Sequence, residues 1–120
     1  MRIGELARRA GVSPRSLRYY EQHGLLSARR GGNGYREYTE EDVKLVTEIR
    51  ALLSIGFTLE DTRPFVDCLR GGHPSGGSCA ESVAVYRRKI AEIDDEIRAL
   101  LLRRAEVSAQ LAASCTRRIS

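Results

Sequence analysis

The sequence predicts a mostly α-helical protein, in which a winged helix-turn-helix domain is followed by one long helix. Three observations predict this fold class. Two short helical patterns are joined by a tight turn at Gly11, alternating residues typical of a strand follow the glycine-rich turn 31–34, and an apolar stripe runs through residues 80–113. The chain has 120 residues, enough for one small domain with one long appended element.

The first two helices carry clear start and stop signals. Apolar residues recur at helical spacing from Ile3 onward, and Gly11 ends that pattern. Ser13 is a good helix N-cap, and Pro14 suits the first helical position, where its missing N–H has no cost. The second helix is then expected to end near Gln22. Two short helices joined by such a turn form a candidate helix-turn-helix.

The next segments predict a wing and a second pair of helices. Residues 35–38 alternate like a short strand after the turn, which indicates a two-stranded wing. Thr39, with an acid three residues later, predicts a capping box that begins a helix ending at Gly56. Thr58 predicts the start of one further short helix, which reaches about Leu69.

The long helix is expected over residues 79–113, after the glycine-rich loop 71–78. Its apolar residues fall on alternating three- and four-residue steps, interrupted only at Arg104, as in a coiled coil. A helix of roughly 50 Å cannot bury such a stripe against one small domain, so a second copy of the chain is the simplest partner. The predicted dimerisation residues are Tyr86, Ile90, Ile93, Ile97, Leu100, Val107 and Leu111. We divide the chain into 1–70, 71–78, 79–113 and a short tail, 114–120.

Composition and charge narrow the function. No apolar run approaches the roughly 20 residues that span a bilayer, and no secretory signal is visible. Three cysteines are an odd count that indicates a reducing compartment, so we expect a cytoplasmic location. No set of catalytic residues is apparent, and we expect no enzyme. Residues 1–50 hold ten basic and seven acidic side chains, whereas residues 80–113 hold six of each, which places the basic excess on the candidate DNA-binding module.

Four spaced motifs resemble the MerR family of transcriptional regulators over the whole chain. They are Ile3-Gly4-Glu5-Leu6-Ala7, Leu17-Arg18-Tyr19-Tyr20-Glu21, Gly34-Tyr35-Arg36-Glu37-Tyr38 and Gly56-Phe57-Thr58-Leu59-Glu60. The resemblance implies an antiparallel coiled-coil homodimer on promoter DNA. It also implies that the effector-bound dimer untwists and bends that DNA so that RNA polymerase can use it, a form of indirect readout.

The DNA-contacting residues are predicted partly from charge and position and partly from the family motifs. A helix in the major groove and a wing beside it would use cationic and aromatic side chains. The residues that we assign to this role are Pro14, Arg15, Arg18, Tyr19, Tyr20, Tyr35, Arg36 and Tyr38.

The cysteines indicate how the regulator senses its effector. Cys79 opens the long helix and Cys115 follows its predicted end, so antiparallel pairing would bring Cys79 of one chain near Cys115 of the other. This arrangement resembles the metal-sensing branch of the family, and thiolates suit a soft divalent ion such as zinc, cadmium, lead or mercury. Cys68 or His73 would supply a third ligand.

Other interpretations of the three cysteines stay open. The chain could be a thiol-redox sensor, with a disulfide between Cys68 and Cys79 or between Cys79 and Cys115. It could equally be a DNA-binding regulator without an effector, in which the cysteines are small buried hydrophobic residues.

Overall fold

A computed structural model describes residues 1–119, and for residues 116–119 it describes the backbone alone. The structure divides into two compact units, Met1–Ala84 and the residues from Val85 onward. The first unit holds four helices and a small sheet, and the second is the greater part of one long helix. The mostly helical fold with a wing and a long final helix is therefore confirmed.

The helix-turn-helix is formed by α1 (Ile3–Ala10) and α2 (Pro14–Gln22). Gly11 ends α1 in the left-handed conformation, at φ 73°, which costs glycine nothing because it lacks a Cβ. The Ser13 hydroxyl accepts a hydrogen bond from the backbone N–H of Ser16 at 3.1 Å and so caps α2. The predicted end of α1 at Gly11 and the predicted start of α2 after Ser13 are therefore confirmed.

The wing consists of β1 (Arg29–Arg30) and β2 (Arg36–Glu37), which pair antiparallel. In the turn between them, the backbone N–H of Gly34 donates to the carbonyl of Gly31 at 2.9 Å. Gly34 has φ 80°, a conformation that favours glycine. The strand predicted over 35–38 is present, but only its two central residues are paired.

Helix α3 (Glu40–Ser54) begins at the predicted capping box. The backbone N–H of Thr39 donates to the Asp42 carboxylate at 2.8 Å, and the backbone N–H of Asp42 donates to the Thr39 hydroxyl at 3.4 Å. The helix ends just before Gly56, which has φ 94°.

The helix predicted after Thr58 is divided into two parts. A 3-10 turn, Glu60–Thr62, is followed by α4 (Arg63–Arg70). The backbone N–H of Thr58 donates to the Asp61 carboxylate at 2.9 Å, so the predicted start signal is used. Pro64 lies in the first turn of α4, where its missing N–H leaves no hydrogen bond unmade.

The core of the first unit is formed by apolar side chains from α1 to α4 and from the segment between α2 and the wing. Its fully buried large side chains include Leu6, Leu17, Leu25, Val46, Ile49, Phe65 and Val66. These side chains pack α1 to α4 and the segment after α2 against one another.

The loop 71–79 packs closely against α4. A Cβ added to Gly76 would lie 3.1 Å from the Cβ and from the carbonyl oxygen of Phe65. The buried hydroxyl of Ser82 donates to the carbonyl of Gly76, and the hydroxyls of Ser75 and Ser78 lie 2.8 Å apart. The glycine-rich segment is therefore an ordered, packed loop.

Helix α5 spans Ala80–Ile119 and is 40 residues long. Its start agrees with the prediction, but it continues six residues beyond the expected end at residue 113, because residues 112–119 contain neither glycine nor proline. Cys115 therefore lies within the helix and does not follow it, and most of the predicted tail 114–120 falls on residues whose side chains lie outside the described part. No helix among the described residues is long and apolar enough to cross a membrane.

Candidate nucleic-acid interface and metal centre

Helix α2 presents cationic and aromatic side chains to solvent. Arg15, Arg18 and Tyr19 are exposed, and Tyr19 retains 50 % of its accessible surface. The ring of Tyr19 packs edge-on against the imidazole of His23, with 4.4 Å between the ring centroids. Pro14 is also exposed at the first position of the helix. This face has the chemistry that a recognition helix uses against phosphates and base edges.

The second tyrosine of the motif points the other way. Tyr20 retains only 5 % of its surface and belongs to the hydrophobic core. Burial raises the pKa of its phenol. Helical spacing turns the Tyr20 ring away from the face that carries Arg18 and Tyr19. Its contact with DNA stays a prediction.

The wing supplies a second exposed group of cationic and aromatic side chains. Tyr35 retains 56 % of its surface, and the guanidinium of Arg2 lies 4.1 Å from the centre of its ring. Arg29, Arg30 and Arg36 of the wing strands are exposed as well. A cation above an aromatic ring is a stabilising arrangement that leaves the other ring face free.

Tyr38 holds the wing to α2 and is not itself exposed. It retains 2 % of its surface, its hydroxyl donates to the Glu21 carboxylate, and its carbonyl accepts from the amino group of Met1 at 2.7 Å. Burial, followed by the hydrogen bond to Glu21 and the charge of that carboxylate, raises the pKa of Tyr38 to about 12. The Tyr38 ring fills the core and its hydroxyl is engaged by Glu21, and its contact with DNA stays a prediction.

Two arginines of α4 that the sequence patterns did not identify contact the end of α2, the candidate recognition helix, and the segment directly after it. The guanidinium of Arg63 donates to the carbonyl of His23 at 2.8 Å, and that of Arg70 donates to the carbonyl of Leu25 at 2.7 Å. Cations suit the C-terminal end of a helix, where carbonyls lack partners. Nothing in the local sequence links residues 40 and 45 positions apart, so only the fold identifies these contacts.

Three of the four predicted metal ligands lie together in the first unit. Cys68 on α4 and Cys79 before α5 form a disulfide with 5.9 Å between their Cα atoms. The imidazole of His73 on the intervening loop completes a group whose ligand atoms all lie within 4.8 Å of one another. Cys68 is buried, Cys79 is half-buried and His73 is exposed. We call these three residues the thiol cluster.

The thiol cluster opens to solvent through a cavity of about 360 Å³. Besides the three cluster residues, the carboxylates of Asp67 and Glu81 line this cavity. The Sγ of Cys68 lies 3.4 Å from the carbonyl oxygen of Ser75, which a reduced thiol could use as a hydrogen-bond acceptor. Two sulfurs and an imidazole are the ligands that zinc and other soft or borderline ions prefer.

Comparison with known proteins decides the family. Residues 1–67 match the family model described as MerR HTH family regulatory protein, and residues 43–112 match the model described as MerR, DNA binding. The chain belongs to the MerR family. It is thus a DNA-binding transcriptional regulator, as its resemblance to the family implied. MerR proteins are regulators and not enzymes, which agrees with the expectation drawn from the residues.

Two curated MerR regulators and one solved structure illustrate the similarity. HTH-type transcriptional regulator HmrR of Rhizobium leguminosarum bv. viciae is 34 % identical over 100 residues, which cover 83 % of this chain and 75 % of that protein. Heavy metal-dependent transcription regulator 2 of Rhizobium meliloti is 35 % identical over 105 residues, with coverages of 83 % and 71 %. The regulator PbrR691 of Ralstonia metallidurans, solved in complex with lead(II), is 28 % identical, covers 89 % of this chain and 81 % of its own, and superimposes with a TM-score of 0.73.

The remaining predicted residues of this MerR protein lie on α5. Cys115 is an exposed free cysteine in the second unit. Most of the predicted dimerisation residues are exposed within that unit, with Ile93 at 47 % and Leu111 at 64 % of their accessible surface. Such a continuous apolar stripe is unusual on a lone soluble helix and is typical of a helix that pairs.

Proposed function

We propose that this MerR regulator binds promoter DNA as a homodimer and distorts that DNA when a soft divalent metal ion binds to its cysteines. The observation that carries the proposal is the thiol cluster, in which the ligand atoms of Cys68, His73 and Cys79 lie within 4.8 Å of one another. The heavy-metal dependence in the name of the Rhizobium meliloti relative and the lead(II) in PbrR691 support the same class of effector.

The ligand chemistry favours zinc, cadmium, lead or mercury. Two thiolates and one imidazole provide three soft or borderline ligands, and a tetrahedral site takes a fourth. Cys115 of the partner subunit, which the sequence pairs with Cys79, would be that fourth ligand and is part of the proposal. When bound, the ion would cross-link the segments that carry its ligands and displace the thiol protons.

Helix α4 provides a route from the cluster to the DNA-reading surface. Cys68 lies on the same helix as Arg63 and Arg70, whose guanidinium groups hold the carbonyls at the end of the recognition helix. A shift of α4 that accompanies ligand binding would therefore move or brace the recognition helix. Such a movement of the recognition helix would change the shape of the bound DNA, and with it the deformation energy, without any change in base contacts.

The homodimer would place two recognition helices on two related half-sites. The apolar stripe of α5 suits pairing with a second copy, and a two-fold axis would give the operator dyad symmetry. In the proposed active complex, the bent promoter becomes a substrate for RNA polymerase.

A transcription assay tests the proposal. An operator selected from random duplex DNA is placed in a promoter, and transcription by bacterial RNA polymerase is measured with reduced protein and increasing Zn²⁺ or Cd²⁺. We expect strong activation with little change in DNA affinity, and loss of activation in Cys79→Ser and Cys115→Ser. Ser114→Ala, next to Cys115 on α5, is the control and should respond like the parent. A Cys79→Ser variant that keeps the full metal response would overturn the proposal.

A second candidate function, thiol-redox sensing, is favoured by the disulfide between Cys68 and Cys79. In that case peroxide or diamide would activate transcription without metal. Metal would not change the transcription measured with the reduced protein. If neither metal nor oxidant changes transcription, a regulator without an effector is the remaining function.

A further inference from the structure

We infer that the Cys68–Cys79 disulfide is a redox gate on the proposed metal site: oxidation closes the site to metal, and reduction by a low-molecular-weight thiol opens it. The inference rests on the proposed metal function and adds its regulation. It is distinct from redox sensing, because the oxidised protein is expected to be silent and not active.

The same pair of sulfurs forms the disulfide and supplies the candidate metal ligands. Cys68 and Cys79 are bonded in the structure, and the same two sulfurs with His73 form the candidate ligand group. A tetrahedral zinc ion with Zn–S bonds of about 2.3 Å holds two thiolates roughly 3.8 Å apart, so a bonded pair cannot chelate it. A disulfide sulfur also lacks the negative charge that binds the ion. Metal binding and the disulfide therefore exclude each other.

The loop that brings the two cysteines together is held in place by contacts of its own. Gly76 packs against Phe65 of α4, and the Ser82 hydroxyl of α5 donates to the Gly76 carbonyl. These contacts hold the loop between α4 and the start of α5 without help from either sulfur. Breaking the disulfide is therefore expected to leave the ligands in place for an ion.

The two sulfurs differ in how accessible they are to small molecules in solvent. Cys79 is half-buried on a cavity of about 360 Å³, whereas Cys68 retains only 3 % of its surface. With hydrogen peroxide, the Cys79 thiolate attacks one oxygen, the O–O bond breaks, and a sulfenic acid and hydroxide form; the hydroxide takes up a proton from solvent. The Cys68 thiol then attacks the Cys79 sulfur, the S–S bond forms, and the hydroxyl leaves as water with the thiol proton.

Reduction breaks the Cys68–Cys79 disulfide again, with a low-molecular-weight thiol as the reductant. The thiolate of a low-molecular-weight thiol attacks the accessible Cys79 sulfur, the S–S bond breaks, and the Cys68 sulfur leaves and takes up a proton. A second thiol of the same class then attacks the mixed disulfide and releases Cys79. The small thiols are oxidised to their own disulfide, so two electrons and two protons are accounted for. The carbonyl of Ser75, 3.4 Å from the Cys68 sulfur, can accept the hydrogen bond of the new thiol.

The experiment compares the full chain in its reduced form and after treatment with hydrogen peroxide. Free thiols are counted in denaturant, the disulfide is mapped by mass spectrometry, and Cd²⁺ binding is followed by thiolate-to-metal charge-transfer absorption. We expect oxidation to leave one free thiol, Cys115, and to weaken Cd²⁺ binding at least tenfold, with full recovery after reduction. His73→Ala should form the same disulfide at an unchanged rate but bind Cd²⁺ more weakly when reduced.

The outcomes separate this inference from the proposed function. If the oxidised protein carries the mapped Cys68–Cys79 disulfide and still binds Cd²⁺ as tightly as the reduced protein, the gate is overturned and the metal function stands. A disulfide that always involves Cys115 also overturns the gate. If the reduced protein binds neither Cd²⁺ nor Zn²⁺, the proposed metal function fails and the gate fails with it. If the Cys115→Ser variant still loses two free thiols on oxidation, the result supports a gate within one chain.

Discussion

The guanidinium of Arg36 in the wing lies 2.8 Å from a carboxylate oxygen of Glu21 in the recognition helix. The Glu21 side chain is only 14 % exposed, and it also accepts the hydrogen bond of the buried Tyr38 hydroxyl. One carboxylate thus joins α2 to the wing, the two elements predicted to contact DNA. Because this ion pair is partly shielded from water, it is expected to contribute more than a typical surface pair.

The DNA-contacting residues can be separated from the positioning residues by substitution. Arg18→Ala should weaken operator binding roughly 5- to 100-fold through loss of a base or phosphate contact. Arg36→Ala should weaken binding and lower the salt dependence of log K by about one unit, since one phosphate contact is lost. Binding is measured by fluorescence anisotropy across a salt series.

Two further variants distinguish a lost DNA contact from an indirect effect of the substitution. Glu21→Gln removes the ion pair with Arg36 but keeps an oxygen for the Tyr38 hydroxyl, so it should weaken binding without changing the salt slope. Arg98→Ala, on the exposed surface of α5, should bind like the parent. A parent-like affinity for both Arg18→Ala and Arg36→Ala would count against the interface.

The raised pKa of Tyr38 predicts a loss of stability in alkali. Its pKa is about 12 in the folded protein, against an ordinary value of 10, so the folded state retains the phenol proton. The stabilising contribution is fully present below pH 10 and is lost as the pH rises toward 12. Tyr38→Phe should be about 1 kcal/mol less stable than the parent at pH 8. The gap should narrow above pH 10, as measured by urea unfolding, and a constant gap would contradict the assignment.

The packing of Gly76 predicts a specific cost for a small change in the loop. Gly76→Ala would place a Cβ 3.1 Å from the carbonyl oxygen of Phe65, and we expect a loss of about 1–3 kcal/mol. Gly4→Ala is the matched control, because a Cβ there meets nothing within 4 Å and the residue lies in α1. That variant should be stabilised by about 0.5 kcal/mol. Equal urea midpoints for both variants would show that the loop is not tightly packed.

The apolar stripe of α5 predicts an obligate dimer. Ile93→Asp combined with Ile97→Asp should give a monomer or an aggregate in sedimentation velocity, because charges replace apolar contacts at the centre of the stripe. Leu102→Asp is the control: Leu102 is 74 % exposed and lies off the stripe, so the dimer should persist. A double variant that stays a dimer with the parent's helicity would show that the stripe is not the interface.

The local features of this protein were readable from its sequence. The Ser13 cap, the Thr39 capping box and the glycine at position 11 are signals over three or four residues, and each acts through hydrogen bonds within its own helix end. The start of α5 and its apolar stripe were also readable, because they depend only on periodicity. The family could be recognised for the same reason, since its motifs are contiguous.

Only the tertiary structure decided which side chains face solvent and which fill the core. Sequence reasoning placed Tyr20 and Tyr38 at the interface, but their rings are buried, because burial depends on what packs against a residue from elsewhere in the chain. The contacts of Arg63 and Arg70 with the end of the recognition helix, and that of Arg36 with Glu21, span 15 to 45 residues. No local spacing encodes such contacts, because they form only when the core brings the elements together.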